Sequence, residues 1–574
     1  MAIPRSLAGY EHEQQIREAM EQGTLLSPSV VAEAEQARVL VVFVHGLTGF
    51  STIGSHYPLL AFLQRELPAV LAAEHGGQAP VVEILPFRYL ATFWAVSDPD
   101  VHSEALAAFL EHHAPRYDSV YLVGHSFGCL LIRAAVLRLS PATRARVRRM
   151  VFLAGTNRGF FPITAAQKAA AFGGRILQAA LQPLKLDRLI PGRLAMSGLR
   201  GSNWLASLRL RWIHACRRHP PPPTVMLHGD RDRLVGPDDS SDVAFQGNSL
   251  VVRCLGVGHG HFTLSVEDGD ESWVAPLLRQ ILHAFVQKIV PAPPPPLPPR
   301  ELVAFLVHGI RDFGEWYETL GSAIERVAAS CGFVPRIVPV TYGYFNTFQF
   351  LLSAQRRRSL RTFVDRYTQE VIRNPQATFV VAAHSNGTYA VARALEEVSS
   401  IQVDRIYFAG SVLPRSFRWG RLFQRGQIRD GVRNDCANAD VPVGAMCYLL
   451  SWIPFFYGGD IGTGGVDGFV SRAHADDLPA GDPRLQNNQY LKGGHSAALE
   501  PRWHDQIAWF LVVGRTLARG LQLTGARRVF LYGWRVGLLA AVLGSFAALC
   551  VFGTPLVGWT IAATLAVVWL LSFV

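Results

Sequence analysis

Short runs rich in β-branched and aromatic residues recur through the first half of the chain, each closed by Gly, Pro or a polar residue, with longer stretches of helical period between them. They read VLVVFVHG (39–46), VVEILPF (81–87), SVYLVGHS (119–126), MVFLAGT (150–156), TVMLHGD (224–230) and SLVVRCLG (249–256). Near-continuous apolarity, rather than strict alternation, marks strands covered on both faces; strand and helix in turn predict a mainly parallel sheet flanked by helices. The scheme returns in LVAFLVHG (302–309), RIVPVTYG (336–343), TFVVAAHS (378–385) and RIYFAGS (405–411), and closes with GGHS (493–496). The His-Gly pair recurs after 263 positions, from 45 to 308, and a Ser after 259, from 126 to 385. This predicts duplication of a whole α/β domain.

The pattern divides the chain. A charged N-terminal extension of helical character covers 1–35, a first domain 36–290, and a second domain 301–515. PAPPPPLPPR (291–300) can join neither helix nor sheet and predicts a semi-rigid spacer between the two. Residues 157–222 form a long insertion of apolar and Arg positions at helical spacing, which predicts a cap over one end of the first sheet. In the second domain the corresponding insertion, VLPRSFRWGRLFQRGQIRDG, is short, and SWIPFFYGGDIGTGGVDGF supplies an aromatic, Gly-rich loop. From 528 onward, two apolar stretches of about spanning length flank Gly553, Thr554 and Pro555, and no charge follows Arg535. They predict a transmembrane helical hairpin.

The candidate chemistry lies where strand turns into helix. In GHSFG, Ser126 sits between an apolar strand and the helical pattern of CLLIRAAVLRL; in AHSNG, Ser385 is placed alike. A Ser at so sharp a turn must take a strained backbone conformation, and the residues two before and two after it must be small. Gly124 and Gly128 meet this requirement, as do Ala383 and Gly387. The turn puts the backbone N–H of Phe127 or Asn386 at a helix N-terminus, where it suits a developing oxyanion. A second donor is expected from the loop after each His-Gly, at Leu47 or Ile310, with His45 and His308 shaping that loop.

A Ser nucleophile needs a base, and the base an orienting carboxylate. After one strand LHGDRDRLVGPDD offers Asp230, Asp232, Asp238 and Asp239, of which Asp232 is the first choice. GVGHGHFTL then offers His261, preferred, and His259. In the second half VRNDCANADVPVG offers Asp435 and Asp440, with Asp440 better placed, and GGHS offers His495. The order Ser, Asp, His thus recurs in both halves, which argues against coincidence.

With these residues both halves resemble α/β-hydrolase-fold domains, the superfamily of esterases, lipases and thioesterases. The resemblance implies Ser126 and Ser385 as nucleophiles, Asp232 and Asp440 as acids, and His261 or His259 and His495 as bases. It also implies cleavage of carboxylic esters or thioesters. A duplicated domain can instead persist as a non-catalytic regulatory or scaffolding module, and complete candidate triads in both copies argue against that.

Composition narrows the partners. Apolar residues make up 49% and charged residues 17%, suited to packed domains. The net charge of +11 comes almost wholly from Arg, since only four of the 55 basic residues are Lys; it is spread without aromatic-interleaved basic blocks, so no nucleic acid is expected. No Walker loop, dinucleotide fingerprint or His-Glu-x-x-His is present, and no cofactor or metal is expected. Seven cysteines without metal spacing fit a reducing compartment, and the charged N-terminus carries no secretory signal. Arg515, Arg519, Arg527, Arg528 and Arg535 precede the first apolar stretch, which places the folded domains on the cytoplasmic side and suggests a lipid-derived ester as substrate.

Overall fold

The computed structural model of the chain describes residues 36–515 except 48–52, 93 and 94, 161–191, 200, 217 and 218, 241–247, 265–270, 290–299, 310–314, 342–352, 452–459, 471–477 and 480. The extension 1–35, most of the linker, the first half of the long insertion and the apolar segment 528–574 therefore lie outside the described residues. Among those that are described, no helix is long and apolar enough to cross a membrane. The chain divides into two compact units, Met1–Pro296 and Leu297–Val574.

In the first unit, β1 (Arg38–Val44), β2 (Val81–Phe87), β3 (Ser119–His125), β4 (Val147–Leu153), β5 (Thr224–Gly229) and β6 (Ser249–Cys254) form one sheet in the order β2-β1-β3-β4-β5-β6. Every pairing is parallel. Strand periodicity explains why the apolar runs are unbroken. Val39, Val41 and Phe43 face one layer, where they meet Tyr121, Val123, Val151 and Leu153 under α1 (Tyr57–Leu71) and α5 (Val274–Val286). The alternate residues Leu40, Val42 and Val44 are buried as well, and on the sheet's other face α2 (Pro99–His113) packs with α3 (Gly128–Val136). Within the long insertion, a short helix Arg193–Ser197 and α4 (Asn203–Cys216) are described.

The second unit repeats the plan with β7 (Glu301–Val307), β8 (Val334–Val340), β9 (Thr378–His384), β10 (Val403–Ala409), β11 (Ile428–Ala437) and β12 (Leu485–Leu491), in the order β8-β7-β9-β10-β11-β12. Here α6 (Glu315–Ser330) packs with α9 (Pro501–Val513), and α7 (Ser353–Arg373) with α8 (Asn386–Glu397). The last two strands differ from the sequence reading. Part of the stretch expected as an insertion, 412–431, is the start of β11, and LQNNQYL forms the edge strand β12. Both are too polar to stand out as strands, because β11 buries an Arg433–Asp435 ion pair and β12 carries side-chain amides.

Both sheets change direction at the same place. From β1 the chain goes outward to β2 and then returns past β1 to β3, so the carboxyl ends of β1 and β3, like those of β7 and β9, flank a topological switch point. That crevice is where open α/β sheets hold their ligands.

Candidate active sites

At the switch point of each sheet the strand β3 or β9 ends in a His, and the next residue breaks the extended conformation. Ser126 has φ 53° and Ser385 φ 54°, in the left-handed region that β-bearing residues rarely occupy. Strain of this kind persists only where the surroundings enforce it. The Ser126 N–H is held by the Leu153 carbonyl at 2.9 Å, and that of Ser385 by Ala409 at 3.1 Å. A Cβ on Gly128 would come within 2.1 Å of the Val44 carbonyl oxygen, and one on Gly387 within 2.4 Å of that of Val307. The helix therefore enters directly against the end of β1 or β7, and Gly is obligatory two residues past the Ser. Ala383 replaces the first Gly of the second elbow and is buried there.

The backbone of the His-Gly loop presses on the nucleophile. A Cβ at Gly46 would lie 2.7 Å from that of Ser126, and one at Gly309 2.5 Å from that of Ser385. This brings the Leu47 segment alongside Ser126; Leu47 itself packs on an apolar cluster of Phe160, Leu199 and Val235. Ile310 lies outside the described residues. Phe127 and Asn386, the other expected oxyanion donors, are fully buried at the heads of α3 and α8. His45 and His308 turn their Nδ1 N–H onto the carbonyls of Gly46 and Gly309, at 2.9 and 2.7 Å, as loop-shaping residues would. Burial lowers the His45 pKa to about 4, keeping that ring neutral.

Each half brings one carboxylate to one imidazole. His259 Nδ1 lies 2.8 Å from Asp232 Oδ2, and His495 Nδ1 2.9 Å from Asp440 Oδ2. The other Asp232 oxygen accepts the N–H groups of Leu234 and Val235, both at 2.9 Å; that of Asp440 accepts the N–H of Val443 at 3.0 Å. A carboxylate so held cannot rotate away from its His. Both carboxylates are sealed from solvent, whereas the rings of His259 and His495 remain 20% and 18% exposed.

The preferred base of the first half does not reach the acid. His261 stacks on Trp273, centroids 4.3 Å apart, and its Nδ1 accepts the Gly258 N–H at 3.2 Å, so it shapes the loop that carries His259. Asp435, the alternative acid, is bound by Arg433, Asn488 and Tyr407 inside the sheet. Asp230 holds the Gly256 N–H at 2.8 Å.

The rings return to the elbows. His259 lies beside His125, centroids 5.1 Å apart, directly before Ser126. His495 packs against Gly410, where a Cβ would fall 2.8 Å from Cε1, while the neighbouring Ala409 carbonyl binds the Ser385 N–H. Gly410 has φ 55°. The described part of the Gly-rich loop lies along the same segment, with Gly462, Gly464 and Gly465 donating to Val412, Leu413 and Ser411. A Cβ on Gly465 would meet the Ser411 nitrogen at 2.2 Å, which explains the glycines. In the first half the described end of the long insertion reaches the elbow, with Trp204 stacked on Phe127 at 6.1 Å.

Residues 64–173, from within α1 through the first elbow and β4 into the long insertion, match the family model described as bacterial virulence protein VirJ. No curated protein matches the chain. Among solved structures, phospholipase PlaB from Legionella pneumophila is 16% identical over 43% of this chain, with a TM-score of 0.30. The match spans 59% of the phospholipase's own length. A soluble variant of monoglyceride lipase from Saccharomyces cerevisiae is 12% identical, covering 46% of this chain and 90% of its own, with a TM-score of 0.31. The monoacylglycerol lipase of Paleococcus ferrophilus is 16% identical, covering 43% and 93%, with a TM-score of 0.26.

Proposed function

We propose, from the premise that both halves are α/β-hydrolase-fold domains, that the chain is a tandem serine hydrolase cleaving carboxylic ester or thioester bonds at two separate sites. The observation that carries this reading is the recurrence, in both halves, of a left-handed Ser at a strand-to-helix turn together with one Asp–His pair whose carboxylate is sealed from solvent. The Asp holds the Nδ1 proton of the imidazole, leaving Nε2 with its lone pair to accept the Ser proton. The Ser oxygen adds to the acyl carbon, and the oxyanion is met by N–H groups at the helix head and the His-Gly loop. The imidazolium then protonates the leaving group. Water, activated by the same His, releases the acid and restores the Ser.

In this reading His259 is the base of the first site and His495 that of the second. The apolar cluster of Leu47, Phe160, Leu199 and Val235 beside Ser126 favours an apolar acyl group in the first half. We further read 528–574 as a hairpin anchor that keeps both domains at the cytoplasmic face of a membrane, with lipid-derived esters as substrates.

The test is labelling of the full, detergent-solubilised chain with a fluorophosphonate probe, mapped by peptide mass spectrometry against Ser126→Ala and Ser385→Ala. Both serines are expected to carry the probe, each lost only in its own variant. Labelling of neither in folded protein would replace the hydrolase reading with a binding role. Membrane attachment is tested separately, by whether the full chain stays in carbonate-washed membranes and a chain ending at 515 does not.

A further inference from the structure

Acyl transfer as described gives no task to the histidine that directly precedes the nucleophile in each half. His125 and His384 are the last residues of β3 and β9, directly before the nucleophile, and both are buried. Each ring lies beside that of its half's base, with centroids 5.1 Å apart for His125 and His259 and 4.7 Å for His384 and His495. A second base would need an exposed acceptor nitrogen facing the serine. The geometry argues otherwise. His384 Nε2 lies 3.3 Å from the His495 backbone oxygen, and since a carbonyl can only accept, that nitrogen carries the proton. Its Nδ1 faces the His-Gly loop, 3.2 Å from where a Gly309 Cβ would stand.

In the first half the His125 Nδ1 is tied to His56 Nε2 at 3.1 Å, while its buried Nε2 has no hydrogen-bond partner among the described residues, so the tether is not formed there. Burial, then the neighbouring His56 and His259, hold His125 well below the usual histidine pKa, so that ring stays neutral.

We propose that His384 is a positioning residue that fastens the backbone of the second half's base to the end of the nucleophile's strand. The need follows from topology. The base sits on the loop after β6 or β12, and two strands separate β6 from β3, as they do β12 from β9. The carboxylate bond fixes the ring only at Nδ1, and a tilt about that bond would carry Nε2 away from the Ser. A tether from the nucleophile's own strand removes that freedom, so one strand end places both reacting groups.

The inference rests on the reading of His495 as the base and is tested in the second half, where the tether is formed. In the full chain carrying Ser126→Ala, His384 is changed to Ala, Gln and Asn. Hydrolysis of p-nitrophenyl butyrate and fluorophosphonate labelling of Ser385 are measured, with circular dichroism melts alongside. We expect His384→Ala to lower kcat by about 10- to 100-fold with KM held within about twofold, the size of loss seen when a catalytic group is slightly misplaced. His384→Gln, whose amide nitrogen reaches as far as Nε2, should recover most of the rate; His384→Asn, with the shorter amide, should not. Should His384→Ala fail to fold, the Gln and Asn variants still decide. Parental kcat in the Ala variant, or equal impairment of Gln and Asn, would overturn the tether while leaving the hydrolase reading standing. Absence of Ser385 labelling in the Ser126→Ala parent would overturn both.

Discussion

At the scale of single residues the two halves solve one problem with one set of contacts. A left-handed Ser, a Gly two residues on and a Gly in the facing loop interlock so tightly that a Cβ at either Gly would overlap backbone or the Ser itself. The two histidines of GVGHGHFTL separate by what they touch. His259 holds the carboxylate of Asp232, while His261 stacks on Trp273. His259→Ala is therefore expected to cut kcat at Ser126 by about 10⁶-fold, as loss of a triad base does. His261→Ala should lower kcat by less than about tenfold and show instead as a lower melting temperature, since it removes packing rather than the proton acceptor. Kinetics in a Ser385→Ala background, with melts beside them, separate the two effects. Adjacent residues of one type cannot be told apart by composition; only the turn of the 3-10 segment that carries them decides which ring meets the acid.

At the scale of elements, the strands that end in the two serines are almost wholly apolar, whereas the polar β11 does structural work inside its sheet. On β11 the fully buried Arg433 forms an ion pair with Asp435, which Asn488 of β12 and Tyr407 of β10 also bind. Tyr407 in turn donates to the Ala498 carbonyl, three residues past His495. The network thus ties three strands to the loop that bears His495. Removing one partner strands a buried charge: Asp435→Ala should destabilise the second domain by about 3–5 kcal/mol, and Arg433→Met with Asp435→Leu by much less. Urea unfolding followed by loss of Ser385 labelling measures both. A ladder of Arg, Asp and Asn reads as loop from sequence, because the pattern carries no sign of which charges will be paired across strands.

At the scale of the whole chain, two units each carry a complete candidate site, so the units should work apart. Chains 36–290 and 301–515 expressed separately are expected to label at Ser126 and Ser385, respectively. The first unit should also lose stability in acid. His45 has its pKa lowered from 6.5 to about 4 by burial. Above pH 6.5 the ring is neutral folded or unfolded, and adds no pH dependence. Between there and about pH 4 the unfolded chain binds a proton that the folded one refuses, so stability falls as pH falls, by up to about 3 kcal/mol from this group. Urea midpoints of 36–290 at pH 7 and pH 4.5 should therefore diverge, and His45→Asn should narrow the gap. The sequence by itself determined the duplication, the division near the proline run, all six strands of the first sheet and both sharp strand-to-helix turns at Ser126 and Ser385, because burial on two faces and a sterically obligatory turn leave their mark on neighbouring residues. Only the tertiary structure brought His259 rather than His261 to Asp232 and Asp440 rather than Asp435 to His495, and only it made strands of β11 and β12. Those outcomes depend on which side chains meet across strands far apart in the chain, and local pattern holds no record of such meetings.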